Sequence, residues 1–171
     1  PELKVYLAQD LVTPEKSVHE DIVVGERVDA VKQKATAATI QALNDTVAVL
    51  DNGKLQAAVD LLFKADRIVF CGVGGSGILA LDARHSFIRT GKTALAFVDA
   101  HEQGMIAALS GPGDVFVLIS HSGATRDMLE IAETAKEKGA RTISITHLGK
   151  PPLGRITDVH LMTAARETLY R

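Results

Sequence analysis

Five short apolar runs, spaced by segments with helical periodicity, constrain this chain more than any other feature of its sequence. They lie at 67–72, 94–98, 114–120, 141–146 and 159–163. Most lack the in-out alternation of a sheet with one wet face, so they suit strands covered on both sides. Helix-patterned segments at 75–89, 101–109 and 125–138 separate the first four runs. Strand and helix in alternation require right-handed crossovers and a parallel sheet. The expected fold is α/β: a three-layer, doubly wound, five-stranded parallel sheet with the flavodoxin-like order 2-1-3-4-5. The link 147–158 carries Pro151 and Pro152 and reads as a loop. Because the chain stops just after the fifth strand, a final covering helix is expected beyond it.

Ahead of the sheet, Val28, Val31, Ala35 and Ala38, then Leu43, Val47 and Leu50, recur at steps of three and four within each group. That spacing predicts a long amphipathic helix over 28–50. Asp51-Asn52-Gly53 ends it, and 54–64 reads as a second, shorter helix. Residues 1–27 read as a remnant or linker: 3–8 suit the last turns of a helix, which Pro14 breaks. The chain opens without Met, so an upstream segment is expected to have been removed, with 28–171 forming the domain proper.

Composition narrows the partners. Hydrophobic residues at 46% and charged residues at 23% give an ordinary globular balance. A net charge of −2 and only 4% aromatics argue against a nucleic-acid surface on these residues. No apolar run approaches the roughly 18 residues of a membrane span, and the first residues lack the layout of a secretion signal. A cytoplasmic setting with no membrane partner is expected. The single cysteine, Cys71, lies in the run Ile68-Val69-Phe70-Cys71, where a buried and inert thiol is expected.

Two turns carry the chemistry. The first, Gly72-Val73-Gly74-Gly75-Ser76-Gly77, joins strand one to a helix. Glycines let the backbone turn sharply and approach a ligand, and the helix start offers unpaired N–H groups. Gly74, Gly75 and Ser76 are the candidate ligand contacts. A dinucleotide loop is an alternative, with Asp99 in the place of the ribose-binding acid; a tight turn without ligand is another. The second turn, Ser120-His121-Ser122-Gly123-Ala124-Thr125, brings three hydroxyls around a glycine between a strand end and a helix start. Ser120, His121, Ser122, Gly123 and Thr125 are candidate anion contacts, although Ser122 or Thr125 would also serve as an ordinary helix cap. In the order 2-1-3-4-5, strands one and three meet at the switch point, where ligands bind outside the strand ends. The second turn would hold a phosphate there and the first would line a sugar.

The stretches 70–77 and 117–125 resemble the sugar-isomerase-type (SIS) phosphosugar-binding domain. The whole chain resembles the part of RpiR-family transcriptional regulators that follows their helix-turn-helix domain. Supporting stretches are 19–22, 40–46, 111–114 and 165–171. The resemblance implies phosphate held by the hydroxyls of Ser120, Ser122 and Thr125, with Ser76 lining the site. It also implies a homodimer or higher homo-oligomer, and DNA binding through an N-terminal domain rather than through this stretch. The long helix over 28–50 would pass the ligand's effect toward that domain.

Two further readings use the same pocket. An aldose–ketose isomerase needs a base to move a proton between adjacent carbons. Glu167, which follows the fifth run, and His101, His121 and His147 are the candidates; isomerase relatives of the fold carry a carboxylate near the sugar. In a sensor, Glu167 would instead accept hydrogen bonds from sugar hydroxyls, or pair with Arg166 or Arg171 at the surface. A scaffold with a vestigial pocket is the third reading. The sensor is favoured, with no catalytic residue and no cofactor. No metal site is expected either, because His85, His101 and His121 fall on separate elements and Cys71 stands alone.

Overall fold

The computed structural model describes residues 25–165. The stretches 1–24 and 166–171, with Glu167 and part of the supporting resemblance, lie outside the described residues. The chain divides into two compact units, one of Pro1–Leu50 with Thr163–Arg171 and the other of Asp51–Met162.

Within the first unit, helix α1 spans Val28–Val49. None of its residues is buried, and Val28, Leu43 and Val47, all on the expected apolar face, are exposed. Thr46 Oγ1 accepts from the Ala164 N–H at 3.1 Å, within the same unit.

The second unit opens with α2 (Asn52–Lys64) and continues β1 (Arg67–Cys71), α3 (Gly75–Ile88), β2 (Thr93–Phe97), α4 (Ala100–Ala108), β3 (Asp114–Ile119), α5 (Arg126–Glu137), β4 (Arg141–His147), α6 (Pro152–Ile156) and β5 (Val159–Thr163), all but the last residue of which belongs to it. The strand order is β2-β1-β3-β4-β5, as the alternation of runs predicted. The pairs β1–β2, β1–β3 and β3–β4 run parallel. One expectation fails: the 147–158 link is not all loop. Pro152 sits at the first position of α6, where its missing N–H costs nothing and its fixed φ suits a helix start. The proline pair thus marks a helix beginning.

Alternate residues of each strand feed opposite faces. Val69, Cys71, Phe116 and Leu118 pack with Met128, Ile131, Ala132 and Ala135 of α5, Ala107 of α4 and Leu153 of α6. Ile68, Phe70, Val115 and Val117 pack on the other side with Ala58 of α2 and Ala80 of α3. This two-sided cover explains why the runs read as continuously apolar. Cys71 is fully buried, and burial pushes its thiol up to about 12, so it is inert. Helix α3 lies on one face and α5 on the other, so β1 and β3 flank the point where the winding reverses.

The same two strands are locked at their opposite end. Arg67 and Asp114 face each other in the β1–β3 register, and the guanidinium donates from Nε and Nη2 at 2.8 and 2.6 Å to the two carboxylate oxygens. Burial pushes the Asp114 carboxyl up, but hydrogen bonds from Arg67 and the Gly111 N–H outweigh it and hold the group below its ordinary value.

Candidate phosphosugar site

Parallel register sets the two turns side by side. Cys71 of β1 is level with Leu118 of β3, so the 72–77 and 120–125 turns leave neighbouring strands at the same level. Adjacent strands are about 4.8 Å apart.

The 120–125 turn is built around Gly123. Its φ of +58° favours glycine, and a Cβ there would meet Pro151 Cβ at 2.5 Å. The turn is buttressed from the β4 side by three main-chain bonds. Ser120 N–H donates to Ile145 O at 3.1 Å, His147 N–H to His121 O at 2.9 Å, and Leu153 N–H to Gly123 O at 2.9 Å. Inside the turn, Ser120 Oγ accepts from Gly123 N–H at 3.1 Å and lies 3.4 Å from Thr125 Oγ1. Ser122 Oγ accepts from Ala124 N–H at 3.2 Å. Ser120 is buried, Thr125 half-buried and Ser122 exposed.

Thr125 occupies the N-cap position of α5, yet its side chain makes no capping hydrogen bond. The capping reading of Thr125 therefore fails, and its hydroxyl turns toward Ser120 instead. The first N–H groups of a helix have no intrahelical partner, so those of Arg126, Asp127 and Met128 remain donors at the positive end of the α5 dipole. The arrangement gathers neutral hydroxyls and main-chain amides at one point. That donor set suits a phosphate or similar oxyanion.

The 72–77 turn is similarly open. Gly74, at the N-cap position of α3, has φ +57° and ψ −129°, which only glycine adopts readily, and no side chain caps the helix. Gly72 is tight: a Cβ there would lie 2.6 Å from Ser76 O. Gly74 and Gly75 are exposed and Ser76 is half-buried.

Asp99 is not available as a ribose-binding acid. Its Oδ1 accepts from the His101 and Glu102 N–H groups, both at 3.0 Å, and caps α4. The dinucleotide alternative thereby loses its acidic partner.

Within the 120–125 turn, His121 stacks on His147 with ring centroids 4.9 Å apart and 15° between planes. The pair, with Ser122 and residues 148–151, lines an open concavity of about 310 Å³. His147, one of the candidate bases, ends β4; its stacking depends on the β3–β4 pairing and carries no local signal. His101 is exposed on α4. Sequence reasoning also passed over Gln103, which is fully buried beneath the glycine turn. Its four-residue spacing from Ala107, the other buried residue of α4, was the one available hint.

These residues can be set against known proteins. A family model described as the SIS domain matches residues 61–169. This chain belongs to the SIS domain family. The domain's curated relatives include an uncharacterized HTH-type transcriptional regulator of Bacillus subtilis, YbbH, 38% identical over 171 residues. The HTH-type transcriptional regulator HexR of Pseudomonas aeruginosa is 36% identical over 177 residues. The alignments cover 99% and 97% of this chain but only 60% and 62% of those regulators. The SIS chain thus spans about 60% of the length of the curated relatives it matches.

Among solved structures, the Vibrio vulnificus NanR protein complexed with ManNAc-6P superposes with a TM-score of 0.76 at 28% identity, covering 94% of this chain and 55% of that one. The sugar isomerase domain of an RpiR transcription factor from Sphaerobacter thermophilus gives 0.75 at 25% identity, covering 82% and 78%.

Proposed function

We propose that this SIS domain is the ligand-sensing part of a bacterial transcriptional regulator, and that it binds a phosphorylated sugar and controls sugar-metabolism genes. The observation that carries the reading is the start of α5. It gathers the Ser120, Ser122 and Thr125 hydroxyls and lacks a side-chain cap. The NanR complex supports the ligand class, since ManNAc-6P is a sugar phosphate. The regulators YbbH and HexR support the regulatory role.

In this proposal Ser120, Ser122, Thr125 and the α5 amides hold the phosphate, with Gly123 shaping the turn and His121 at its edge. Gly74, Gly75 and Ser76 line the sugar, and Glu167 accepts from sugar hydroxyls. DNA is contacted by another part of the regulator, and the domain acts as a homodimer or larger assembly in the cytoplasm. The ligand shifts the regulator between states only as far as its affinities for those states differ. No chemical step is required of any residue.

Isothermal titration with ManNAc-6P, glucose 6-phosphate, fructose 6-phosphate and arabinose 5-phosphate tests the reading. Saturable binding by at least one, weakened about tenfold in Ser120→Ala by the loss of one charge-assisted hydrogen bond, is the expected result. No binding by any of the four overturns it. A coupled assay on the same panel separates sensor from isomerase: turnover of the bound sugar would replace the sensor reading with an enzymatic one.

A further inference from the structure

The two turns of the site are held from opposite sides. The 120–125 turn is fixed by main-chain bonds to β4 and α6. On the other side, the Gly72 carbonyl at the end of β1 is held by a single side chain, Gln103 of α4. Its Nε2 donates to Gly72 O and to Phe97 O, both at 2.8 Å, joining the upper ends of β1 and β2.

Gln103 is fully buried, and its Oε1 has no hydrogen-bond partner among the described residues. An amide is a costly filler for that space, since an unpaired buried acceptor is unfavourable where an apolar side chain of similar shape is not. What the amide supplies is its NH2 group, aimed at two carbonyls at strand ends. The Gly72 carbonyl also sets the turn above it. A Cβ on Gly77 would lie 3.1 Å from Gly72 O, and Gly77 N–H closes the turn on Gly74 O at 3.0 Å. Moving Gly72 O therefore moves Gly74, Gly75 and Ser76 together.

We infer that Gln103 is a positioning residue for the sugar-facing half of the site: its carboxamide fixes the glycine turn and so sets affinity for the sugar while leaving the phosphate contacts alone. The inference rests on the sugar-phosphate reading. It separates two contributions within one ligand, because the phosphate turn has its own supports on β4 and α6.

The test compares Gln103→Met, which fills the same space without a donor, with the unaltered chain. Two probes are titrated: inorganic phosphate, and whichever of the four sugar phosphates binds the unaltered chain most tightly. Affinity for the sugar phosphate should fall about tenfold, as expected for a lost buried hydrogen bond, and affinity for inorganic phosphate should stay within about twofold. Equal losses for both probes, or no loss for either, would overturn the inference. A wild-type measurement decides the matter even where the variant does not fold. The Gln103 side-chain amide resonances should shift on adding the sugar phosphate and stay fixed with inorganic phosphate; the same response to both would reject the role. Failure of every sugar phosphate to bind the unaltered chain is a different result, which overturns the functional reading itself and this inference with it.

Discussion

Helices α4 and α5 lie on the same face of the sheet and begin in opposite ways. At the start of α4 the chain provides its own anion, with Asp99 accepting from the His101 and Glu102 N–H groups. At the start of α5 it places a threonine whose hydroxyl makes no cap bond, beside two serines and a glycine. The helix α2 likewise begins with a carboxylate cap, from Asp51 to the Lys54 N–H. Helices α1 and α6 also lack a side-chain cap, but of the helices that follow β1, β2 and β3 the uncapped ones are α3 and α5, which follow the neighbouring strands β1 and β3. A helix start already neutralised by a carboxylate is closed to other anions; one lined with neutral hydroxyls is open to them. Under the proposed function, the difference between α4 and α5 is that between a structural helix start and a binding one.

The sharpest way to break this contrast is to give α5 the cap that α4 has. Thr125→Asp should weaken sugar-phosphate binding about a hundredfold or more, because two negative charges would then share one site. The ligand-free variant should melt at a higher temperature, since the new carboxylate caps the helix and meets its dipole. Calorimetry on one sample reads both, and undiminished affinity would show that the phosphate lies elsewhere.

A second comparison concerns the two ends of β1 and β3. Asp114 is held below its ordinary value of 3.8, so its stabilising contribution is full above that pH and is lost as the pH falls below it. Asp114→Ala should cost about 2–3 kcal/mol by leaving Arg67 half-buried and unpaired, and Asp114→Asn should flatten the acid limb of the stability curve. Urea melts between pH 2.5 and 7 would measure this.

Ser120→Ala removes the hydroxyl at the centre of the turn. It should destabilise the fold by only about 1 kcal/mol, because Gly123 N–H retains the Ser120 carbonyl as a partner at 3.2 Å. Its tenfold effect on affinity should therefore exceed what its stability loss explains. The smallest expected change is the mirror case: Asp99→Ala should cost about 1 kcal/mol of stability through its lost cap and leave phosphate affinity unaltered.

How much of this was legible in the sequence follows from what each feature depends on. The five runs and the order of the sheet were readable because burial on both faces imposes continuous apolarity, visible in Ile68-Val69-Phe70-Cys71. The turns were readable because glycine and hydroxyl residues cluster at strand ends. Whether Thr125 caps its helix was not, since a hydroxyl at an N-cap position has two choices, and packing against Ser120 decides between them. Asp99 looked like a ribose acid for the same reason. The amide of Gln103 and the His121–His147 stack join residues 31 and 26 positions apart in sequence or space them across strands, and no local pattern announces such pairings. In the 147–158 link, the proline pair suggests a loop, but Pro152 stands where a helix starts.

The central claim is that an oxyanion settles on the amides and hydroxyls where α5 begins. A backbone amide shift map of the unaltered chain, titrated with the sugar phosphate it binds most tightly, tests this directly. The account predicts the largest shifts within 120–128, weaker ones within 72–77, and unmoved signals for His101 and Glu102. Shifts centred on the start of α4, or none within 120–128 at saturation, would contradict it.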